Sequence, residues 1–478
     1  MLTTTEREEG RGETLPVSFV PQPTQAYASH LARKALNTKA GPIPGAAAGP
    51  TVPAPIPPVG LSRGARVLMW KQDPSVKEIG IRKAFLPKRV YTGPKDARIS
   101  IQGLTPVGPN VFGDLIVDPA VDAEAFDCVH TFAIIRQVLT MYERFRWPKP
   151  VPWQWNTGGN TDPLACHPRA GVTQNAYYSR TQKALKFFYF DSTTPPPLHT
   201  VYTCRSFDIV AHETGHAILD GLKPGWLTAG NPPQTGGLHE SFGDLTAIFL
   251  TLSQMDQVEA IVAQTKADLH AKNFLADMAE EFGLALGRPN GLRNADNDLK
   301  LSQVSNEVHA ISQVFTGGVF DVLADIFTFQ RKPAKRDDAF VLYESAQYVC
   351  GLVFRALAAA PNIGATYADV VNKMLALVTA DGKPVQYKNA IVNRFTLREV
   401  LAPFAVELAA HEDVEVAPAF TDSPDSIQNR AGCCGTMQRA EYMGEEETLD
   451  AQVRELKAAF ATNGAEPRRR RAPKSTKS

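Results

Sequence analysis

Five residues constrain this chain more than any others. His212-Glu213-Thr214-Gly215-His216 stands inside an apolar pattern made by Phe207, Ile209, Val210, Ala217, Ile218 and Leu219. That pattern predicts a helix, and on a helix residues i and i+4 share a face. Both imidazoles therefore reach one point in space, which is the spacing that binds a metal ion. Glu213 then lies beside that point, within reach of a bound water.

A catalytic zinc site takes a third protein ligand and keeps one position open. An extension of the motif with glycine and a third histidine would need Gly at 219 and His at 222, where the chain has Leu219 and Leu222. A downstream GTxxD carrying an aspartate ligand does not occur. What does occur is GGLHESFGDLTAIF, with Glu240 and Asp244 again at i and i+4. The stretch around them is apolar (Leu238, Phe242, Leu245, Ile248 and Phe249), so two carboxylates on it need partners. Glu240 is the expected third ligand, after His212 and His216. Asp244 is expected to hold the outer nitrogen of a ligand histidine and fix its tautomer.

The rest of the chain frames this pair of helices. With 478 residues there is room for two or three domains and a large core. Lys+Arg and Asp+Glu are both 50, so net charge is zero, which argues against a nucleic-acid partner. No apolar run was expected to reach the ~18 residues of a membrane span. The start, MLTTTEREEGRGETLPVSF, carries no secretory signal pattern. Cytoplasmic residence or non-classical export is the expectation. The six cysteines show no CxxC spacing, so neither a zinc ribbon nor a thioredoxin-like site is expected.

Residues 1–64 include PIPGAAAGPTVPAPIPP and are expected to be largely disordered. Residues 65–222 are read as a β-rich part, with strands in VLMWK, RVYTG, RISIQG and KALKFFYF, a helix over 127–146, and the metal-binding helix at the end. Residues 223–410 are read as helical, with helices near 237–254, 256–285, 307–329, 337–360, 366–379 and 396–408. Thr366 with Asp369, and Thr396 with Glu399, have capping-box spacing. Residues 411–478 form a tail with an amphipathic stretch at 444–461, Cys433-Cys434 and the basic run Arg468–Arg471. A β-rich half followed by a helical half predicts an α+β architecture with a cleft between lobes.

These segments resemble the thermolysin-like zinc metallopeptidases of the gluzincin group, in the family's order. DPAVDAEAFDCVHTFAIIRQVLTMYERF resembles its first long helix, and NAYY its Asn-Ala edge strand. FDIVAHETGHAILDG is similar to its central zinc helix and LHESFGD to its third-ligand helix. LRNADNDLK resembles its substrate-binding Arg segment and VHAISQVFTGGVFDVL its Val-His helix. The match covers about residues 115 to 380 and implies a two-lobed fold with a β-rich N-terminal lobe, a central zinc helix and a helical C-terminal lobe. It further implies one zinc per chain on His212, His216 and Glu240, with Glu213 as general base and His309 donating to the developing oxyanion. Asn175 and the Ala176 carbonyl would hold substrate main chain, and Arg293 a substrate carbonyl. Ile209 and Leu292 map onto an apolar pocket, which implies cleavage on the N-terminal side of large apolar residues of a peptide or protein substrate.

The chain departs from the family at several points. His239 stands where the family has Asn, either orienting His216 or competing as a ligand. The calcium cluster is half matched, by Asp208 but not at Thr251, so calcium is not expected. The acid orienting the transition-state histidine falls near Val304, with Ser302, Ser305 or Asn306 as substitutes. The family's tyrosine upstream of the third ligand has no counterpart in NPPQTGG. Two functions from different classes follow: an active zinc endopeptidase, or a catalytically degenerate zinc-binding homologue acting as a protein-binding module.

Overall fold

In the computed structural model, residues 64–402 are described, apart from 229 and 288–290. The Pro-rich segment, the stretch at 444–461, Cys433-Cys434 and the basic run lie outside the described residues. Residues 64–402 belong to one compact unit.

The architecture is mixed α+β. Strands β1 (Ala65–Trp70) and β2 (Ile81–Leu86) form a two-stranded antiparallel sheet. A four-stranded sheet follows, built from β3 (Ile99–Ile101), β4 (Leu164–His167), β5 (Ala176–Ser179) and β6 (Ala184–Phe187) in the order β3-β4-β6-β5. β5 therefore lies at a sheet edge, antiparallel to β6. Two further antiparallel pairs join β7 (Tyr189–Ser192) to β8 (His199–Tyr202), and β9 (Asp277–Met278) to β10 (Arg293–Asn294).

The helices are α1 (Ala123–Arg146), α2 (Phe207–Leu222), α3 (Pro233–Leu252), α4 (Met255–Thr265), α5 (Glu280–Ala285), α6 (Val308–Gln330), α7 (Asp338–Ala359), α8 (Tyr367–Ala380) and α9 (Val385–Leu397). Every residue of α3 is buried. An all-round buried helix belongs at the centre of a fold, and α3 packs on α2 on one side and α6 on another. α6 corrects one expectation, since it is long and apolar enough to cross a membrane by composition. However, 89 % of its apolar window is buried inside the fold, which makes it a core helix.

Several boundaries differ from the sequence reading for identifiable reasons. α1 starts at Ala123 because the Asp122 side chain accepts from the Ala125 N–H at 2.9 Å. RVYTG forms only isolated bridges at Tyr91 and Gly93. KALKFFYF splits into β6 and β7, and between them the Phe188 N–H turns to the Asn175 carbonyl and the Thr203 hydroxyl. The helix expected over 256–285 ends at Thr265, where Lys266 and Ala267 take positive φ of 53° and 63°. Among the described residues the last helix is Val385–Leu397; the expected start at 396 falls at its end, and 403–408 lie outside the described residues. The Thr396–Glu399 capping box does not form, because Glu399 has φ 62° and its carboxylate accepts from the Ser302 N–H at 2.9 Å. The Thr366–Asp369 box is present on α8.

Two glycines allow α2 and α3 to approach closely. A Cβ on Gly243 would stand 2.6 Å from the His212 ring, and one on Gly215 would stand 2.7 Å from Thr246 Oγ1 and 3.1 Å from Gly243 Cα. Side chains at these positions would force the helices apart, and with them the two motifs.

Candidate metal centre

α2 begins where the Ser206 hydroxyl accepts from the Ile209 N–H at 3.4 Å. Its first turns present His212 and His216 to α3, which presents Glu240 and Asp244 in return. One donor atom each from His212, His216 and Glu240 lie within 4.8 Å of one another, all buried. His212 Nε2 is 3.4 Å from Glu240 Oε2 and His216 Nε2 is 3.5 Å from Oε1. Neither Nε2 nor either Glu240 oxygen has a hydrogen-bond partner among the described residues. Four buried polar atoms facing one point would each carry a desolvation cost. A divalent cation there satisfies them all, and a His/His/Glu donor set suits zinc.

The outer nitrogens are fixed. His212 Nδ1 is 2.9 Å from Asp244 Oδ1, and Asp244 is itself gripped by Arg293, Nε to Oδ2 at 3.0 Å and Nη2 to Oδ1 at 2.6 Å. The structure thus places Arg293 against Asp244, with its Nη2 also 3.4 Å from His212 Nδ1. Burial disfavours the charged imidazole of His212, yet Asp244 and Glu240 raise its pKa to about 10. Burial alone would raise the Glu240 carboxyl, but His309, His216 and His212 hold it well below the usual range. A negative Glu240 thus faces both imidazoles, the charge that a cation held between them would meet.

His216 Nδ1 lies 2.7 Å from His239 Nδ1. With His216 Nε2 turned to the cluster as a ligand, its proton belongs on Nδ1, which donates to His239. His239 therefore orients His216 and does not turn its own Nδ1 to the cluster.

His309, the second residue of α6, brings Nε2 to 3.2 Å from Glu240 Oε2. Its other nitrogen is 2.6 Å from Glu307 Oε1, while Glu307 Oε2 accepts from the His309 and Ala310 N–H groups at 3.0 and 2.8 Å. The orienting acid is therefore Glu307, not a group near Val304. Ser302 is engaged with Glu399, and Ser305 Oγ accepts from the Glu307 N–H at 3.4 Å. A glutamate two residues before the Val-His histidine, at the helix start, was the signal available in the sequence.

Asn175 immediately precedes edge strand β5, which packs beside α2. Its Oδ1 accepts from the Ala176 N–H at 2.9 Å and its carbonyl accepts from the Phe188 N–H at 3.3 Å. Ile209 and Leu292 are buried. Glu213 and His309 are both fully enclosed.

Asp208, one turn before His212, sits in a separate acidic group. Thr251 is not part of it, since its hydroxyl accepts from Gln72 Nε2 at 3.2 Å. Asp73 and Glu280 are, both accepting from the Ser75 hydroxyl, at 2.8 and 3.3 Å. Burial, then the neighbouring Asp73, Asp208 and Asp277, push the Glu280 carboxyl up to about 9. Such an acid keeps a proton that the unfolded chain has lost. Its contribution is full below pH ~4.5 and is lost as pH rises toward 9. Glu280→Gln is therefore expected to raise the melting temperature at pH 8.5 and leave it nearly unchanged at pH 4.5. Melts in chelator check this, and a difference equal at both pH values would show that Glu280 is ionised throughout.

A second group, His270, Asp296 and Asp321, also brings donors within 4.8 Å. There Asp321 is already paired with Arg398 at 2.9 Å, and His270 and Asp296 are satisfied by each other at 2.7 Å. It carries no comparable unmet demand.

Among solved structures, the chain is similar to the precursor of protealysin, a metalloproteinase from Serratia proteamaculans. Identity is 13 %, the TM-score is 0.38, and the match covers 56 % of this chain and 78 % of that one. No family model matches the chain, and no curated protein does.

Proposed function

We propose that this chain is a zinc-dependent endopeptidase that cleaves on the N-terminal side of large apolar residues. The observation that carries this reading is the convergence of His212, His216 and Glu240 on one buried point with Glu213 adjacent in sequence and His309 at its rim. Glu213 is not needed to hold a metal, and its presence beside three ligands supports hydrolysis over mere binding.

His212, His216 and Glu240 would hold the ion, which when bound would activate water near neutral pH and polarise a carbonyl. Glu213 takes the proton of the attacking water and passes it to the leaving amine. His309, held by Glu307, donates Nε2–H to the oxyanion of the tetrahedral intermediate. The Asp244–Arg293 pair and His239 keep the two ligand imidazoles in one tautomer and one orientation. The calcium half-match gives no support for a second resident ion.

Ile209 and Leu292 are aliphatic and uncharged, which supports an apolar specificity pocket. Each buried methylene is worth roughly 0.8 kcal/mol, so Leu, Ile, Val or Phe is favoured over Gly or Ala by about ten- to a thousandfold. The test is digestion of a proteome-derived peptide mixture with and without chelator. Chelator-sensitive cuts before large apolar residues support the proposal. Cuts clustered before Lys, Asp or Gly refute the specificity, and no cuts by zinc-loaded protein refute the activity.

His309→Ala is expected to lower turnover about 10²- to 10³-fold with little change in melting temperature. Glu307→Gln, acting through His309, should cost less. A melting temperature that collapses while activity per folded molecule persists would make His309 a core residue only.

The full enclosure of Glu213 and His309 favours one second reading: a metal-holding centre that admits no peptide, on a chain that serves as a protein-binding module. Zinc-loaded but inactive protein is the outcome that selects it.

A further inference from the structure

Among the described residues the β1–β2 sheet has two strands only, so the outer edge of β2 has no partner strand there. Lys83, Ala84 and Phe85 all line a groove of about 510 Å³. Consecutive residues of a strand point to opposite faces. A groove that touches all three therefore runs along the strand's edge, where backbone N–H and C=O groups face outward. Its other wall is one face of α1, made by Gln137, Thr140, Met141 and Arg144 at positions i, i+3, i+4 and i+7. Ser253 to Asp256, at the start of α4, close the end.

The chemistry of this groove is one-sided. Lys83 and Arg144 have no ion-pair partner among the described residues, while Lys71 is matched by Asp256 at 3.1 Å. The Oε1 atoms of Gln137 and Gln254 are buried and have no hydrogen-bond partner among the described residues. Met141, Met255 and the 61 % exposed Phe85 supply adaptable apolar contact.

We propose that this groove receives an extended acidic polypeptide segment, added as a third strand to the edge of β2. The six residues of β2 give room for about six residues of guest at ~3.3 Å each. The main chain supplies the attachment and Lys83 with Arg144 select acidic side chains, the usual division in strand addition. A polynucleotide or other polyanion would use the charge but not the strand edge. The proposal is independent of the metal centre, and its failure would leave the peptidase reading untouched.

The test uses the full chain in chelator, with a labelled eight-residue alternating Glu-Val peptide as probe. Binding is expected to weaken at least tenfold for the Lys-Val counterpart, for Lys83→Glu with Arg144→Glu, and between low and high salt. N-methylation of every second peptide bond is expected to abolish binding in one register and spare it in the other, because alternate amides of a strand face the partner. This last arm needs no variant of the protein. Equal binding of the Lys-Val peptide, equal loss in both methylation registers, or full displacement by a single-stranded oligonucleotide of the same charge would overturn the proposal.

Discussion

Glu213→Gln is expected to bind zinc as the parent does and to lose at least 10²- to 10⁴-fold in turnover, the range of a positioned general base. The amide is close to the carboxylate in size, so the fully buried site keeps its packing. It cannot accept a proton from water, so the first step of hydrolysis has no base. Metal analysis of the purified variant and single-turnover cleavage of a peptide decide the matter together. A zinc-loaded variant with substantial turnover would place the base elsewhere.

The second large effect concerns the metal itself. His212→Ala combined with His216→Ala is expected to leave the protein without stoichiometric zinc. Zinc held by a full ligand set is worth roughly 10–16 kcal/mol, and two of three protein ligands would be gone. The remaining Glu240 is fully buried and keeps the His309 ring beside it, Nε2 at 3.2 Å; a melt of the variant alongside the metal analysis shows that zinc is counted on folded protein. Full zinc content in that variant would move the metal to another site, with His270, Asp296 and Asp321 as the first to test by substitution.

The metal cluster was legible in the sequence because its geometry is local. The i, i+4 spacing fixes each half of the site on its own helix, and only the meeting of α2 with α3 needed tertiary structure. That meeting depends on Gly215 and Gly243, whose importance lies in contacts between residues more than twenty apart in sequence. Asp244 was legible for the same reason as Glu240. The pairing of Arg293 with Asp244 is not legible, because Arg293 is brought there by the β9–β10 pairing, which no periodicity announces. Glu307 is less legible, because the serines before it compete for the same role and a helix-start carboxylate reads first as a cap. Among the longer elements, α9 was displaced because Thr396 and Glu399 imitate a helix start while lying at a helix end.

Glu307 has a consequence beyond orientation. One of its oxygens closes the first turn of α6, and the other holds the imidazole of His309. Fraying of that turn and misalignment of the imidazole are therefore the same event. On the proposed function, a pull on the α6 start would take His309 out of place and leave the ligand cluster untouched. The helix end would then work as a latch, with unwinding of one turn, rather than global unfolding, deciding whether His309 is in place.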